Sequence, residues 1–196
     1  ALEPYVVDRH VDEKARLQVD EKQRIARAAA DLIQPGDAII LGSGTTVEAF
    51  ARELCRLQGI TVLTAALNVS LTLAMVAGVE VIQLGGSLRQ NSHSVIGPYA
   101  EEMIANFACS KLFLGVDGLT FDHGLTTSNM MEAHLNQRMI EASEKVIVLA
   151  DASKFGKKGF GRICGIDVVD QLITDVSLTP HLRAQCEDAA IQVTTA

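Results

Sequence analysis

The chain has 196 residues, a formal net charge of −7 and a hydrophobic fraction of 48%. This length is sufficient for one α/β domain with a full core. No apolar run approaches the roughly 20 residues that cross a bilayer, and no secretory leader pattern opens the sequence, so we expect a cytoplasmic protein. The acidic balance argues against DNA binding by this chain itself, because nucleic-acid affinity depends mainly on neutralising backbone phosphates.

The first residues differ in pattern from the rest of the chain. Residues 1–19 are mixed in charge and poorly periodic, and they predict an arm or linker. Residues 20–33 predict a helix, because Ile25, Ala29 and Leu32 recur on one face. We therefore expect one compact domain over residues 20–196, preceded by the arm.

Buried strands and helices alternate after this first helix. We predict strands at residues 38–41, 61–64, 79–84, 111–116, 145–150, 172–174 and 191–193. We predict helices at residues 47–57, 70–77, 98–107, 130–143 and 182–189, with a polar loop over residues 117–129. Such alternation predicts an α/β fold, a mostly parallel open sheet with helices on both faces, with a small cap subdomain as a possible addition.

The loop GSGTT at residues 42–46 is the first candidate for chemistry. Ligands of such sheets bind beyond the carboxyl ends of the strands. Glycines allow close backbone approach, and a following helix offers free N–H groups to an anion. The loop is neither a Walker loop nor a complete dinucleotide fingerprint. It predicts a phosphate site, and the alternative is a glycine turn with a Ser/Thr cap.

Three further strand-end loops carry polar residues. GGSLR at residues 85–89 would bring Arg89 to an anion, or would be a turn with a solvated arginine. Asp117 and Glu132 offer carboxylates that accept hydrogen bonds from sugar hydroxyls, although Glu132 also suits a helix start without any ligand. Lys154 would hold a phosphate, or would be an ordinary surface lysine. The five histidines and four cysteines show no metal-ligand spacing, so we expect neither a metal nor a cofactor.

Taken together, these segments resemble the effector-binding domain of DeoR/GlpR-type bacterial repressors. The matching stretches, in order, are EKQRIA (21–26), GSGTT (42–46), QLGGSLR (83–89), GVDG (115–118), GLTT (124–127), EA (132–133), ADASKFG (150–156) and LITD (172–175). The resemblance implies a fold shared with ribose-5-phosphate isomerase and glucosamine-6-phosphate deaminase. It also implies a sugar-phosphate effector and an N-terminal winged helix-turn-helix that reads DNA, a domain we expect to be absent from this chain.

The resemblance also implies a set of site residues. The effector phosphate would be held by Ser43, Gly44, Thr45 and Thr46. The rest of the pocket would be formed by Asn68, Gly85, Gly86, Arg89, Asp117, Gly118, Thr126, Thr127, Glu132 and Lys154. One departure concerns residues 64–66, which read TAA where the family often has Thr-Asn-Ser. This departure leaves Asn68 as the nearest amide and puts the identity of the effector in doubt.

We therefore interpret the chain as the sensor domain of a repressor that binds a small phosphorylated sugar or polyol without turnover. An isomerase is the alternative, with Glu132 or Asp117 as base, but residues 124–129 contain no lysine to stabilise an enediolate. A CoA transferase with a glutamate nucleophile is a third possibility. We expect self-association, because repressor operators are commonly two-fold symmetric.

Overall fold

The computed structural model describes residues 5–196, which contain seven α-helices and twelve β-strands. The helices are α1 (Val11–Ala15), α2 (Val19–Ala30), α3 (Thr45–Leu54), α4 (Leu67–Leu73), α5 (Pro98–Ile104), α6 (Met130–Glu141) and α7 (Pro180–Asp188). The strands are β1 (Ala38–Leu41), β2 (Ile60–Thr64), β3 (Val79–Gln83), β4 (Ser87–Arg89), β5 (Ser94–Ile96), β6 (Lys111–Gly115), β7 (Gly118–Thr120), β8 (Gly124–Thr127), β9 (Val146–Leu149), β10 (Gly161–Cys164), β11 (Gln171–Thr174) and β12 (Gln192–Thr195). Across this described range, no helix has both the length and the apolar character needed to cross a membrane.

Seven strands form one sheet in the order β12-β11-β9-β6-β1-β2-β3, and every neighbouring pair is parallel. From β1 the chain winds outward through β2 and β3, and it then returns to β6 on the other side of β1. The direction of winding thus reverses between β1 and β6. A parallel sheet leaves a crevice at such a switch point, outside the carboxyl ends of its strands. The loops after β1 and β6 are therefore the expected walls of a binding site.

The large sheet is buried on both faces because successive strand residues point to opposite sides. In β1, Ile40 packs on one face while Ile39 and Leu41 pack on the other. Helices α5, α6 and α7 cover the first face, and α2, α3 and α4 cover the second. On the second face the rings of Phe50 and Phe113 lie 4.5 Å apart between centroids. The predicted open parallel sheet with helices on both faces is confirmed.

A smaller antiparallel sheet, in the order β10-β8-β7, follows β6 directly. The prediction of one continuous loop over residues 117–129 is therefore wrong. Leu119 and Leu125 are paired and buried, and the Thr126 hydroxyl accepts a hydrogen bond from the Gly159 N–H at 2.8 Å. Tertiary packing, which a short run rich in Gly and Thr does not reveal, decides these strands.

The main elements otherwise lie within a few residues of their predicted positions. The largest difference is in α4, which we predicted at residues 70–77 and which spans Leu67–Leu73. Helix α3 begins at Thr45, two residues earlier than predicted, so the GSGTT loop already includes its first turn. Of the arm predicted at residues 1–19, residues 1–4 lie outside the described residues and Val19 is the first residue of α2, so we keep the name arm for residues 5–18. The arm contains the short helix α1 and ends at Gln18, which has a left-handed conformation (φ 50°).

Candidate functional site

A cavity of about 60 Å³ lies at the switch point between β1 and β6. Its walls come from the loop after β1, the loop after β6, the β4 region and the start of α6. The arm completes the enclosure with Val11 and Lys14, and α2 contributes Lys22. The site is therefore formed jointly by the end of the sheet and by the segment that precedes the main domain.

The loop after β1 supplies the corner best suited to an anion. Gly44 is the residue before α3 and has φ 110°, and no side chain caps this helix. The first N–H groups of an uncapped helix have no intrahelical partner, and the helix dipole favours negative charge beside them. Ser43, Gly44, Thr45 and Thr46 all line the cavity, so N–H groups and hydroxyls meet there. This arrangement can bind a phosphate.

Two carboxylates face this corner from the loop after β6 and from α6. Asp117 accepts hydrogen bonds from the Ser128 N–H at 3.1 Å and from the Thr127 hydroxyl at 3.2 Å. Glu132 is 7% exposed, and its Oε2 lies 3.4 Å from the same Thr127 hydroxyl. Asn129 caps α6 through the N–H of Glu132, and the Glu132 carboxylate, which accepts from the Ser94 hydroxyl at 3.3 Å, lines the cavity. Both carboxylates can accept hydrogen bonds from ligand hydroxyls.

Four cationic side chains line the same cavity: Lys14, Lys22, Arg89 and Lys154. Lys14 Nζ lies 2.7 Å from Asp117 Oδ1, and Arg89 Nη1 lies 3.5 Å from Glu132 Oε1. Among the residues that line the cavity, four cations face two carboxylates; Asp8, which does not line it, also pairs with Arg89 and reduces the formal excess from +2 to +1, although the whole chain carries −7. The cavity is thus a local positive site on an acidic protein.

Two of these groups have shifted pKa values. Burial and the nearby Lys154 lower the pKa of Lys22 to about 8, and its ammonium donates to the carbonyl oxygens of Lys14 and Leu17 at 2.6 Å each. Burial alone would raise the pKa of Asp117, but the charge and hydrogen bond of Lys14 outweigh it, and the pKa falls below its usual value. At neutral pH Asp117 is therefore ionised, and most of Lys22 still carries its proton.

A second cavity of about 410 Å³ adjoins the first and lies under residues of the arm. Lys14, Lys22, Asp117 and Lys154 line both cavities. The second also reaches Asp151, which is 1% exposed and has one carboxylate oxygen, Oδ2, without a hydrogen-bond partner. A buried acceptor without a partner is costly. Asp151 therefore adds a carboxylate to the wall of this cavity.

The structure brings together nine of the residues proposed from the sequence: Ser43, Gly44, Thr45, Thr46, Arg89, Asp117, Thr127, Glu132 and Lys154. Five others do not line this cavity: Asn68, Gly85, Gly86, Gly118 and Thr126. Asn68 instead donates to Glu48, and Thr126 bonds to the backbone within the small sheet. Gly86 and Gly118 allow close packing, since an added Cβ would lie 2.8 Å and 2.3 Å from carbonyl oxygens.

Sequence reasoning missed several residues of the cavity wall, among them Lys14, Lys22, Asn91, Ser92 and Asn136. Lys22 had a usable signal, because it shares the buried face of α2 with Ile25, Ala26 and Ala29. A lysine on an apolar face needs a partner or a function. Lys14 had no such signal, because the arm lacks a clear period.

Comparison with known proteins gives a family model for the "DeoR C terminal sensor domain", which matches residues 17–176. The chain is 36% identical to the putative aga operon transcriptional repressor of Escherichia coli O157:H7, over 95% of this chain and 70% of that protein. It is 35% identical to the HTH-type transcriptional repressor GlcR of Bacillus subtilis (80% and 60%). It is 34% identical to the glycerol-3-phosphate regulon repressor of Escherichia coli K12 (93% and 72%).

Solved structures with the same fold come from different functional classes. Ribose 5-phosphate isomerase A of Methanocaldococcus jannaschii aligns with a TM-score of 0.52 and 17% identity, over 70% of this chain and 54% of that one. The eIF2B beta subunit of Chaetomium thermophilum aligns with a TM-score of 0.52 and 20% identity, over 79% and 48%. The chain thus spans about half the length of these proteins, and at such identities the likeness is one of fold alone.

Proposed function

We propose, since this chain belongs to the DeoR family of C-terminal sensor domains, that it binds a small phosphorylated sugar or polyol at the switch-point cavity. Its relatives are named as repressors and regulators of transcription, and the role of this domain is likewise regulatory and not enzymatic. The observation that carries the proposal is the uncapped N-terminus of α3 inside a cavity lined by more cations than carboxylates. Both features favour a bound phosphate.

The remainder of the effector would carry hydroxyl groups. Asp117 and Glu132 offer acceptors in the first cavity, and Asp151 contributes a further carboxylate to the wall of the second. The first cavity, at about 60 Å³, is well below the roughly 300–1,000 Å³ of a typical small-molecule site. The ligand would therefore have to open the shared wall and extend into the second cavity. The two cavities together reach the usual size of a small-molecule site.

Opening the shared wall would couple binding to the arm. Lys14, on α1, closes this wall by its ion pair with Asp117. Asp8 binds Arg89 and also accepts from Ser128 Oγ at 2.9 Å. A ligand hydroxyl that donates a hydrogen bond to the Asp117 carboxylate would displace the Lys14 ammonium and loosen α1. We propose that the released arm repositions an N-terminal helix-turn-helix domain, in keeping with the name of the GlcR relative as an HTH-type repressor.

Calorimetric titration with a phosphorylated polyol, the same polyol without phosphate, and inorganic phosphate tests the binding site. Thr46→Val removes a hydroxyl at the α3 corner, and Lys154→Met removes a cation. Each substitution should lower the affinity for the phosphorylated ligand roughly tenfold. This is equivalent to about 1.4 kcal/mol, the contribution of one charge-assisted hydrogen bond. Lys158→Met is the matched control, because Lys158 pairs with Asp122 outside both cavities. Equal affinity for the polyol with and without its phosphate would contradict the proposal.

The same ligands address the enzymatic alternatives. Incubation with ribose 5-phosphate should yield no ketose product, and hydroxylamine should trap no acyl-glutamate. Turnover that Glu132→Gln abolishes would overturn the assignment of a sensor without catalysis.

We further propose that the full-length repressor is a homo-oligomer, because operators with two-fold symmetry are matched by symmetric proteins. Sedimentation equilibrium with and without effector measures this state directly. A monomer at all concentrations, with DNA bound by single chains, would contradict it.

A further inference from the structure

A cluster of three potential metal ligands lies at the junction between the arm and the body of the domain. His10 precedes α1, Asp12 lies in its first turn, and His93 lies between the short helical turn 90–92 and β5. One ligand atom from each of these side chains can be chosen so that all three lie within 4.8 Å of one another. The two histidines are partly buried and Asp12 is exposed, so an ion can enter from solvent.

One ligand-atom distance and the ring separation in the cluster are those expected around a tetrahedral ion. Zinc binds imidazole nitrogen and carboxylate oxygen at about 2.0–2.2 Å, which places two ligand atoms of one ion roughly 3.3–3.5 Å apart. His10 Nδ1 and Asp12 Oδ2 are 3.4 Å apart. Two imidazole rings on one tetrahedral ion have centroids about 5 Å apart. The centroids of His10 and His93 are separated by 5.1 Å, with the ring planes at 81°.

The contacts already present in the cluster are weak enough for a metal to replace them. His10 Nδ1 accepts a long hydrogen bond from the Asp12 N–H, with an N···N distance of 3.3 Å. His93 has a left-handed backbone (φ 50°), a conformation in which His, like Asn and Asp, is enriched. This backbone conformation places the His93 ring against His10.

We propose that His10, Asp12 and His93 bind a divalent transition-metal ion of the zinc class, with solvent at the fourth position. Two ligands belong to the arm and the third to the turn after β4, which also carries Arg89 and Asn91 of the cavity wall. The bound ion would fasten the arm to the body beside the effector site. It would thereby oppose the release of the arm. The site does not depend on whether the cavity binds a phosphorylated ligand.

Cobalt titration in the absence of any effector tests this site. The host is the chain with Cys55→Ser, because Cys55 is the exposed thiol, whereas burial raises the pKa of Cys164 and Cys186 to about 11. We expect one Co²⁺ per chain, with the visible absorption of a tetrahedral site, and displacement by Zn²⁺ but not by Mg²⁺. If this absorption does not appear even with millimolar Co²⁺ present, the proposal is overturned.

Two variants test the histidine ligands, and a third serves as the control. His10→Asn retains a good helix cap and His93→Asn tolerates the left-handed backbone, but both lose the imidazole. Each should lower the affinity for Co²⁺ by more than the roughly 10–100-fold lost when a residue that only contacts a metal ligand is changed. His134→Ala, at an exposed histidine of α6, is the control and should bind normally. Equal binding by all three would refute the assignment. Should either Asn variant fail to fold, paramagnetic shifts of the His10 and His93 ring protons in the host decide instead, and unshifted rings would refute it.

Discussion

Removal of the Lys14 ammonium should release the arm from the body of the domain. The Lys14–Asp117 ion pair has an N···O distance of 2.7 Å, with side chains 22% and 12% exposed. Exposed pairs contribute about 0–1 kcal/mol, whereas breaking a fully buried pair costs about 3–5 kcal/mol. This pair lies between the two, and Asp117 keeps its bonds to Ser128 and Thr127. For Lys14→Met we therefore expect a loss of about 1–2 kcal/mol in the docking of the arm.

That loss corresponds to a roughly 5- to 30-fold larger population of the undocked arm, since about 1.4 kcal/mol is a factor of ten. Limited proteolysis reads this population when opening is fast relative to cleavage, so cleavage within residues 5–18 should accelerate by the same factor. Arg138→Met is the control, because its ion pair with Glu141 joins two exposed side chains on α6. A saturating phosphorylated polyol should accelerate cleavage in the parent chain and much less in Lys14→Met. Equal cleavage of Lys14→Met and parent without ligand would refute the reasoning.

Acidification provides an independent check on the same ion pair. The pKa of Asp117 is lower in the folded chain than its ordinary value of about 3.9. The ion pair therefore stabilises the docked arm fully when the pH is above the ordinary pKa of Asp117. This stabilisation is lost as the pH falls through the lower pKa of the folded chain. Proteolysis of the arm should be insensitive to pH between about 5 and 7 on account of this pair. Hydrogen exchange can follow the arm below pH 4, where it should open, and opening near pH 6 would exclude Asp117 as the cause.

Three further predictions follow from the glycines and from Lys22. Gly44→Ala places a side chain at φ 110° and should cost about 1–3 kcal/mol in chemical unfolding while weakening phosphate binding. Gly118→Ala forces a Cβ to 2.3 Å from the Lys157 carbonyl oxygen, so it should destabilise the chain by about 3 kcal/mol or more in the same assay. An anion raises the lowered pKa of Lys22, which is about 8, so calorimetry in two buffers should detect proton uptake near pH 8–9 and an affinity that falls as the pH rises further. Unchanged unfolding of either alanine variant, or binding without proton uptake, would contradict the respective prediction.

The sequence predicts the large sheet because its strands are continuous apolar runs that only burial on both faces explains, as in β1 and β9. It predicts the α3 corner because glycines and hydroxyls follow a buried strand. It could not predict the small sheet, whose strands depend on contacts such as that between Thr126 and Gly159. Nor could it pair His10 with His93, because residues far apart in the chain meet only when the fold is complete.

The left-handed Gln18 separates two segments that are attached to the molecule in different ways. Beyond it, α2 is anchored by Ile25 and its neighbours in the apolar core, whereas the preceding arm buries one large apolar side chain, Val11, and otherwise relies on polar bonds. Polar bonds can be exchanged one at a time without unfolding the core. Under the proposed coupling, substitutions in the arm would therefore change how readily the arm is released while leaving the apolar packing of α2 intact.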